Sequence, residues 1–266
     1  MLKNLFWKTL RDQRRSLFFW SIALLALSLY TTLFYPMVKN MPGLDEMMAQ
    51  LPEGMMEALV GGPLLDFTSP VGYLNTEFFS MMVPLLFLIF TIGYGSSAIA
   101  GEEDKGTLEF LLSNPVPRRQ VVMHKAAVMV ICLAVQTLAL WVAIVIGAAI
   151  VDMDISAWRV LEATFSSMML GLVFGMVALF FGCLRGSRGL SIGVTSALAV
   201  TTYLLNSMGG LVDALKDYRF LTPFYHNLEP NPLANGLDAH VLVLVGLAAV
   251  FFLASIPAFE RRDIAV

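Results

Sequence analysis

The sequence predicts an all-α polytopic membrane protein with six transmembrane helices, and three observations support this fold class. Hydrophobic residues make up 58% of the 266 residues, whereas charged residues make up only 14%, well below the share of about a quarter that is usual in soluble domains. The mean hydropathy is +0.74. The charged residues are also grouped, so that they leave six long uncharged runs between them.

Each uncharged run is long enough to cross a bilayer, because a helix needs about 20 residues to span the hydrocarbon. The predicted spans, in chain order, cover residues 16–38, 78–101, 126–151, 163–184, 189–212 and 239–259. Neither an internal repeat nor a soluble domain interrupts them. We therefore expect residues 1–266 to form a single transmembrane domain.

The basic residues predict the orientation of the six helices. Of the 17 Lys and Arg residues, 13 lie in the two terminal segments, the second-to-third connection and the fourth-to-fifth connection. The opposite connections hold 13 of the 20 acidic residues. The positive-inside rule then places both termini in the cytoplasm. The net charge of -3 averages a basic face and an acidic face, so it gives no reason to expect a nucleic-acid partner.

A helix that lies in the membrane interface is predicted before the first span. Its apolar side chains Leu2, Leu5, Phe6 and Leu10 share one helical face, and basic side chains occupy most of the other. Amphipathic helices of this kind bind at the boundary between headgroups and acyl chains. The alternative is a basic flank that only sets the orientation.

The connections on the acidic side give weaker signals. Residues 39–77 carry methionines at helical spacing, but neither Cys nor His accompanies them, so we expect apolar packing and no metal site. Residues 213–238 combine prolines with aromatic residues, which favours a short, partly re-entrant hairpin. The cysteines Cys132 and Cys183 lie within spans, where we expect them to behave as small hydrophobic residues.

The segment Gly101–Lys125 is a charged island between two long apolar runs. Within it, Leu108, Leu111 and Leu112 recur at helical spacing, and the sequence 114–117 (Asn-Pro-Val-Pro) ends the turn. This pattern predicts a short amphipathic helix on the cytoplasmic side that a partner outside the membrane binds. The alternative is a solvated loop with an accidental apolar stripe.

Several functions are disfavoured by what the spans and this segment lack. No Asp, Glu, Lys or Arg falls inside a predicted span, whereas ion-coupled carriers usually keep such residues there. Gly101 and Gly106 have the separation found in a phosphate-binding loop, but Thr107 stands where Lys is required. The pair Glu102 and Glu103 is similar to that of membrane-embedded proteases, without their helical His ligands. We therefore expect no catalytic residue.

In this segment the chain resembles the permease subunits of type-2 ABC exporters. The specific part of the resemblance lies at 100–103, 106–109, 111–112, 115–116, Arg118 and Lys125, and the topology extends it over the whole chain. In that family, the region carries a coupling helix between the second and third membrane helices. The resemblance implies an ATPase-coupling segment that consists of Glu102, Glu103, Gly106, Thr107, Leu108, Glu109, Leu111, Leu112, Pro115, Arg118 and Lys125.

The resemblance also implies a set of partners and a location. The chain would work with two copies of an ABC ATP-binding subunit and with a second permease unit, as a homodimer or a related heterodimer. ATP and Mg would bind to the ATPase, so no cofactor is expected in this chain. The resemblance implies the plasma (inner) membrane of a prokaryote and export of a hydrophobic or amphipathic substrate between permease units. The alternatives are a mechanotransmission or sensor protein without cargo, and an ATP-independent carrier or channel.

Overall fold

The computed structural model describes residues 5–41, 68–108, 116–209 and 212–262. Six long helices dominate this part of the chain, and we number them in chain order. They are α1 (Leu5–Lys39), α2 (Pro70–Ala98), α3 (Arg118–Ile150), α4 (Ala157–Arg185), α5 (Arg188–Met208) and α6 (His240–Glu260). A π-helical turn at Asn75–Phe79 interrupts α2, which resumes as an α-helix over Met82–Ala98.

All six helices are long and apolar enough to cross a membrane, and the described residues contain no strand. The predicted fold class is therefore confirmed. Several helices extend beyond the uncharged runs that predicted them. One case is α3, which begins at Arg118, eight residues before the third run. Charged residues at the end of a membrane helix can remain helical because their heads reach the interface.

The N-terminal turns of the chain belong to α1 itself. The sequence predicted a separate interfacial helix, but α1 continues without a break from Leu5 through the first span, because neither Gly nor Pro occurs between residues 5 and 35. Leu5 is 2% exposed, and Phe6 and Leu10 pack against the same core. The Phe6 ring also lies 6.5 Å from that of His124 on α3. These side chains therefore face protein, and Leu2 lies outside the described residues.

Helix α4 lies at the centre of the bundle and contacts α2, α3, α5 and α6. It is the most buried of the six spans. Its glycines allow this packing. A Cβ atom added at Gly171 would lie 2.9 Å from Cβ of Phe87 on α2, and one at Gly175 would lie 2.9 Å from Cβ of Thr91. Small residues of this kind let helix backbones approach closely.

A short hairpin of helical turns covers the acidic end of the bundle between α5 and α6. It consists of Pro223–Leu228 and Pro232–Asn235. The ring of Phe224 is buried and lies 5.7 Å from Phe174 on α4. The side chain of Ser166 donates a hydrogen bond of 2.8 Å to the Asn227 amide oxygen. Phe224 and Asn227 thus anchor this connection on α4.

The contact between α2 and α4 generates the first prediction. A Cβ atom at Gly95 would collide with the carbonyl oxygen of Gly175 and lie 3.1 Å from Cβ of Ala178. We expect Gly95→Ala to lower the thermal unfolding temperature in detergent, because overpacking of this kind typically costs about 1–3 kcal/mol.

Gly93→Ala is the matched control, since a Cβ atom at Gly93 meets nothing within 4 Å. The control should leave the unfolding temperature unchanged or raise it slightly, because Ala favours a helix over Gly by about 1 kcal/mol. Equal unfolding temperatures for both variants would contradict the close approach of α2 and α4.

Candidate functional site

The predicted ATPase-coupling segment begins where α2 ends. A short helix, Ala100–Asp104, follows α2, and the chain then turns at Gly106, whose φ is +66°. This left-handed conformation favours glycine. Asp104, Lys105, Gly106 and Thr107 are exposed. The predicted members Glu109, Leu111, Leu112 and Pro115 lie outside the described residues.

The carboxylate of Glu102 binds two neighbouring groups. The Lys125 ammonium group at the start of α3 lies 2.9 Å from Oε1, and the Thr107 hydroxyl donates a hydrogen bond of 2.6 Å to Oε2. Partial burial alone would raise the pKa of Glu102, but these hydrogen bonds and the charges of Lys125 and Lys8 lower it overall. Glu102 is therefore held as a carboxylate, and its partner Lys125 is only 7% exposed.

The neighbouring carboxylate, Glu103, binds the C-terminal end of the bundle. Its partner is the guanidinium group of Arg262, which also lies within 3.4 Å of the Cys183 carbonyl oxygen near the end of α4. Helix α4 ends at Gly186, whose φ is +66°. A Cβ atom at Gly186 would overlap the side-chain ends of both Arg262 and Glu103, so a larger residue would displace this ion pair as well as strain the left-handed backbone.

Arg118 at the start of α3 binds the end of α6. Its Nη1 atom donates hydrogen bonds to the carbonyl oxygens of Phe259 (3.0 Å), Glu260 (3.4 Å) and Arg262 (2.6 Å). The guanidinium carbon also lies 5.5 Å from the centre of the Phe259 ring. The last carbonyl groups of a helix lack partners within it and carry partial negative charge. A cation from another helix therefore stabilises this terminus.

Together these five side chains form what we call the basal clamp: Glu102, Glu103, Arg118, Lys125 and Arg262. The clamp joins the ends of α2, α4 and α6 to the start of α3. It holds each charge in a hydrogen-bonded pair or against carbonyl oxygens, so it fixes the positions of four helices relative to the exposed turn. This arrangement is suited to transmitting a displacement from that turn into the bundle.

The structure brings together most of the predicted site residues that it describes. Glu102 contacts both Thr107 and Lys125, while Glu103 and Arg118 converge on the C-terminal end of α6. Leu108 is different. It was expected to offer apolar docking area, but it is 2% exposed and belongs to the core, so it anchors the segment to its own chain. The burial is consistent with its apolar side chain next to the exposed turn.

Sequence reasoning missed Arg262 and Gly186 as parts of the site. Both lie far along the chain from Glu103, and nothing in their local sequence reveals the contact. The only signal was the position of Arg262 directly after the last uncharged run, on the same side of the membrane as the acidic pair. That signal applies equally to Arg261, which is exposed.

The fold and the clamp define a class of protein: a six-helix membrane protein with a charged segment anchored at the basic end of the bundle. A family model described as "ABC-2 family transporter protein" matches residues 3–264, and the chain belongs to this family. It is a multi-pass membrane permease of an ABC transporter. Such permeases generally work with an ATP-binding subunit and another permease unit. No significant match was found among curated proteins.

The basal clamp generates the second prediction. We expect Arg262→Gln to lower the thermal unfolding temperature by roughly 3–12 °C, because a hydrogen bond to a charged group contributes about 1.5–3 kcal/mol. Glu103→Gln should have a similar effect, and the double variant should lose less than the sum of the two, since the residues are in direct contact.

Arg261→Gln is the matched control, because it removes the same charge from the exposed neighbour. It should change the unfolding temperature little. Additive effects of Glu103→Gln and Arg262→Gln, or an equal effect of the control, would contradict the pairing.

Proposed function

We propose that this chain is the permease subunit of an exporter whose ATP-binding subunits dock at the basic end of the bundle. The observation that carries the proposal is the basal clamp, which joins an exposed turn to four spans. An ATPase bound at this turn would act on a rigid base and not on an isolated loop. ATP and Mg would bind to that partner, and two ATP-binding subunits would serve two permease units.

The distribution of charge supports a cytoplasmic location for the basic end. The terminal segments and the connections at this end carry 13 of the 17 basic residues, and the positive-inside rule assigns such connections to the cytoplasm. ATP is available to ATP-binding subunits only on the cytoplasmic side of the membrane. A prokaryotic plasma membrane is the location that we propose for the assembly.

The docking surface follows from the exposure of the described residues. Asp104 and Lys105 project at the turn, and their opposite charges would set the register of the partner. Since Leu108 is buried, the apolar part of the docking surface would fall to Leu111 and Leu112 further along the segment. Leu108 would then hold the start of the segment against the bundle while the partner binds further along it.

Coupling would follow from a difference in affinity. If the segment binds the ATP-bound form of the ATPase differently from the ATP-free form, nucleotide binding shifts the equilibrium between two arrangements of the permease. The clamp would carry this shift from the turn into α3 through Lys125 and Arg118, and into α6 through Arg262. The path between the two permease units would then change its access.

The nature of the cargo is suggested by an apolar groove between α2 and α5. The groove has a volume of about 270 Å³, and its wall includes Leu85, Leu88, Ala199, Tyr203 and Phe224. It contains almost no polar surface, and Leu85 is 47% exposed, so the groove opens at the side of the bundle. These features support a hydrophobic or amphipathic substrate that passes along the outer faces of α2 and α5.

The third prediction tests docking by co-purification. A tagged chain purified from membranes of its own host should retain an ATP-binding subunit, identified by mass spectrometry and by ATP hydrolysis. The double variant Leu111→Asp/Leu112→Asp should retain at least tenfold less of this subunit than the wild type, because two carboxylates would replace the apolar contact. Membrane insertion should persist, since the segment lies outside the spans.

Arg261→Asp is the control for a charge change at the same end of the bundle, and it should retain the ATP-binding subunit. An isolated, active permease without any ATP-binding subunit would contradict the proposal and favour an ATP-independent carrier. Full retention by the Leu111→Asp/Leu112→Asp variant would contradict the docking surface.

A further inference from the structure

A second cavity lies at the basic end of the bundle, between α1, α2 and the start of α5. Its volume is about 190 Å³, far more than the roughly 10–15 Å³ that one water molecule needs. Unlike the apolar groove, it has mostly polar walls. The polar groups come from Gln13 and Ser16 on α1, Ser97 on α2 and Arg188 on α5.

The position of this cavity along the membrane normal follows from the sequence. Ser16 is the first residue of the first uncharged run, and Arg188 is the last charged residue before the fifth run. Ser97 lies four residues before the second run ends. Three separate spans thus reach their boundary at the same cavity, which places it at the depth of lipid headgroups.

The polar side chains in this cavity have few partners within the chain. In the part of the chain that the structure describes, no hydrogen bond or ion pair engages the side chains of Gln13, Ser16 or Arg188. The Ser97 hydroxyl donates to the Gly93 carbonyl oxygen and keeps its lone pairs. A guanidinium group, an amide and a hydroxyl group therefore line one space, and these groups supply donors of the kind that bind phosphate oxygens.

The electrostatics around the cavity favour an anion. Arg14 and Arg15 are exposed between Gln13 and Ser16, and the one acidic neighbour on α1 is Asp12, which is also exposed. Of the three carboxylates in the short helix after α2, Glu102 binds Lys125 and Glu103 binds Arg262, while Asp104 is exposed. The aliphatic stem of Arg188 passes over Gly101, with its Cδ atom 3.8 Å from the position of an added Cβ atom.

An aromatic wall completes the cavity towards the bilayer centre. The Trp20 ring packs edge-on against Phe90 at 6.0 Å, and Phe90 stacks on Tyr94 at 6.4 Å. Trp and Tyr are enriched at the membrane interface, where one side of the ring meets apolar groups and the other meets water. The cavity thus combines phosphate donors on its outer side with apolar surface on the side that faces the acyl chains.

We propose that this cavity binds the phosphate group of an anionic lipid headgroup in the leaflet at the basic end of the bundle. The proposal does not depend on ATPase docking, because it concerns other residues and can be tested on the isolated chain. The bound lipid would join α1, α2 and α5, which form no part of the basal clamp except at the end of α2. Basic pockets between membrane helices are known to bind lipid headgroups in this way.

The test compares lipid retention by three purified full-length proteins. The wild type, Arg188→Gln and Arg185→Gln are titrated in detergent with phosphatidylglycerol or phosphatidylcholine, and bound lipid is measured by native mass spectrometry. We expect phosphatidylglycerol to bind Arg188→Gln about fivefold more weakly than the wild type, since one interfacial Arg contributes about that factor. Arg185→Gln removes an exposed charge outside the cavity and should bind like the wild type.

A second variant and a second anion complete the test. Gln13→Leu keeps every charge and should also weaken the binding of phosphatidylglycerol. This variant keeps the site testable if Arg188→Gln folds poorly. Equal retention of phosphatidylglycerol by all four proteins would overturn the site. Thermal stabilisation of the wild type by inorganic phosphate, without any by phosphatidylglycerol, would overturn the lipid source and assign the cavity to a soluble anion.

Discussion

The structure of the basic end depends on one constraint: two adjacent carboxylates at the end of α2 each need a cation from another helix. Glu102 is paired with Lys125 of α3, and Glu103 is paired with Arg262 beyond α6. Charges at this position cannot move into the hydrocarbon without a large cost. The two pairs therefore fix how far α2, α3 and α6 protrude from the bilayer relative to one another.

Close packing above the clamp extends this constraint into the membrane. Gly95 of α2 faces the backbone of Gly175 on α4, so α2 cannot slide along α4 without a collision. Thr32 of α1 lies in the same way against Gly147 of α3. In contrast, a Cβ atom at Gly189 or Gly193 of α5 meets nothing within 4 Å. The chain thus has closely packed helix pairs, α2 with α4 and α1 with α3, whereas these two glycines of α5, the helix beside the apolar groove, make no such contact.

Much of the fold could be predicted from the sequence, because a bilayer demands long uncharged helices and the charges mark their ends. The basic end was likewise predictable from Lys and Arg counts. The contacts of individual side chains could not be predicted from the sequence. Helical spacing placed Leu108 with Leu111 and Leu112 on one face but could not show that Leu108 is buried. Arg261 and Arg262 are indistinguishable in sequence, and only the fold shows that Arg262 reaches Glu103. The continuity of α1 agrees with the absence of Gly and Pro between residues 5 and 35, but no local pattern shows that Phe6 lies beside His124 of α3.

The most direct test measures whether the exposed turn and the end of α6, which the basal clamp joins, move as one body. Spin labels at Asp104→Cys and Arg261→Cys, both exposed sites, report the distance between the turn and the end of α6; the native Cys132 and Cys183 are buried. The labelled chain would be diluted with unlabelled chain in the assembly with its ATPase. The account predicts one narrow distance distribution that stays unchanged when ATP and vanadate trap the closed ATPase. A distribution that shifts or broadens on trapping would contradict it.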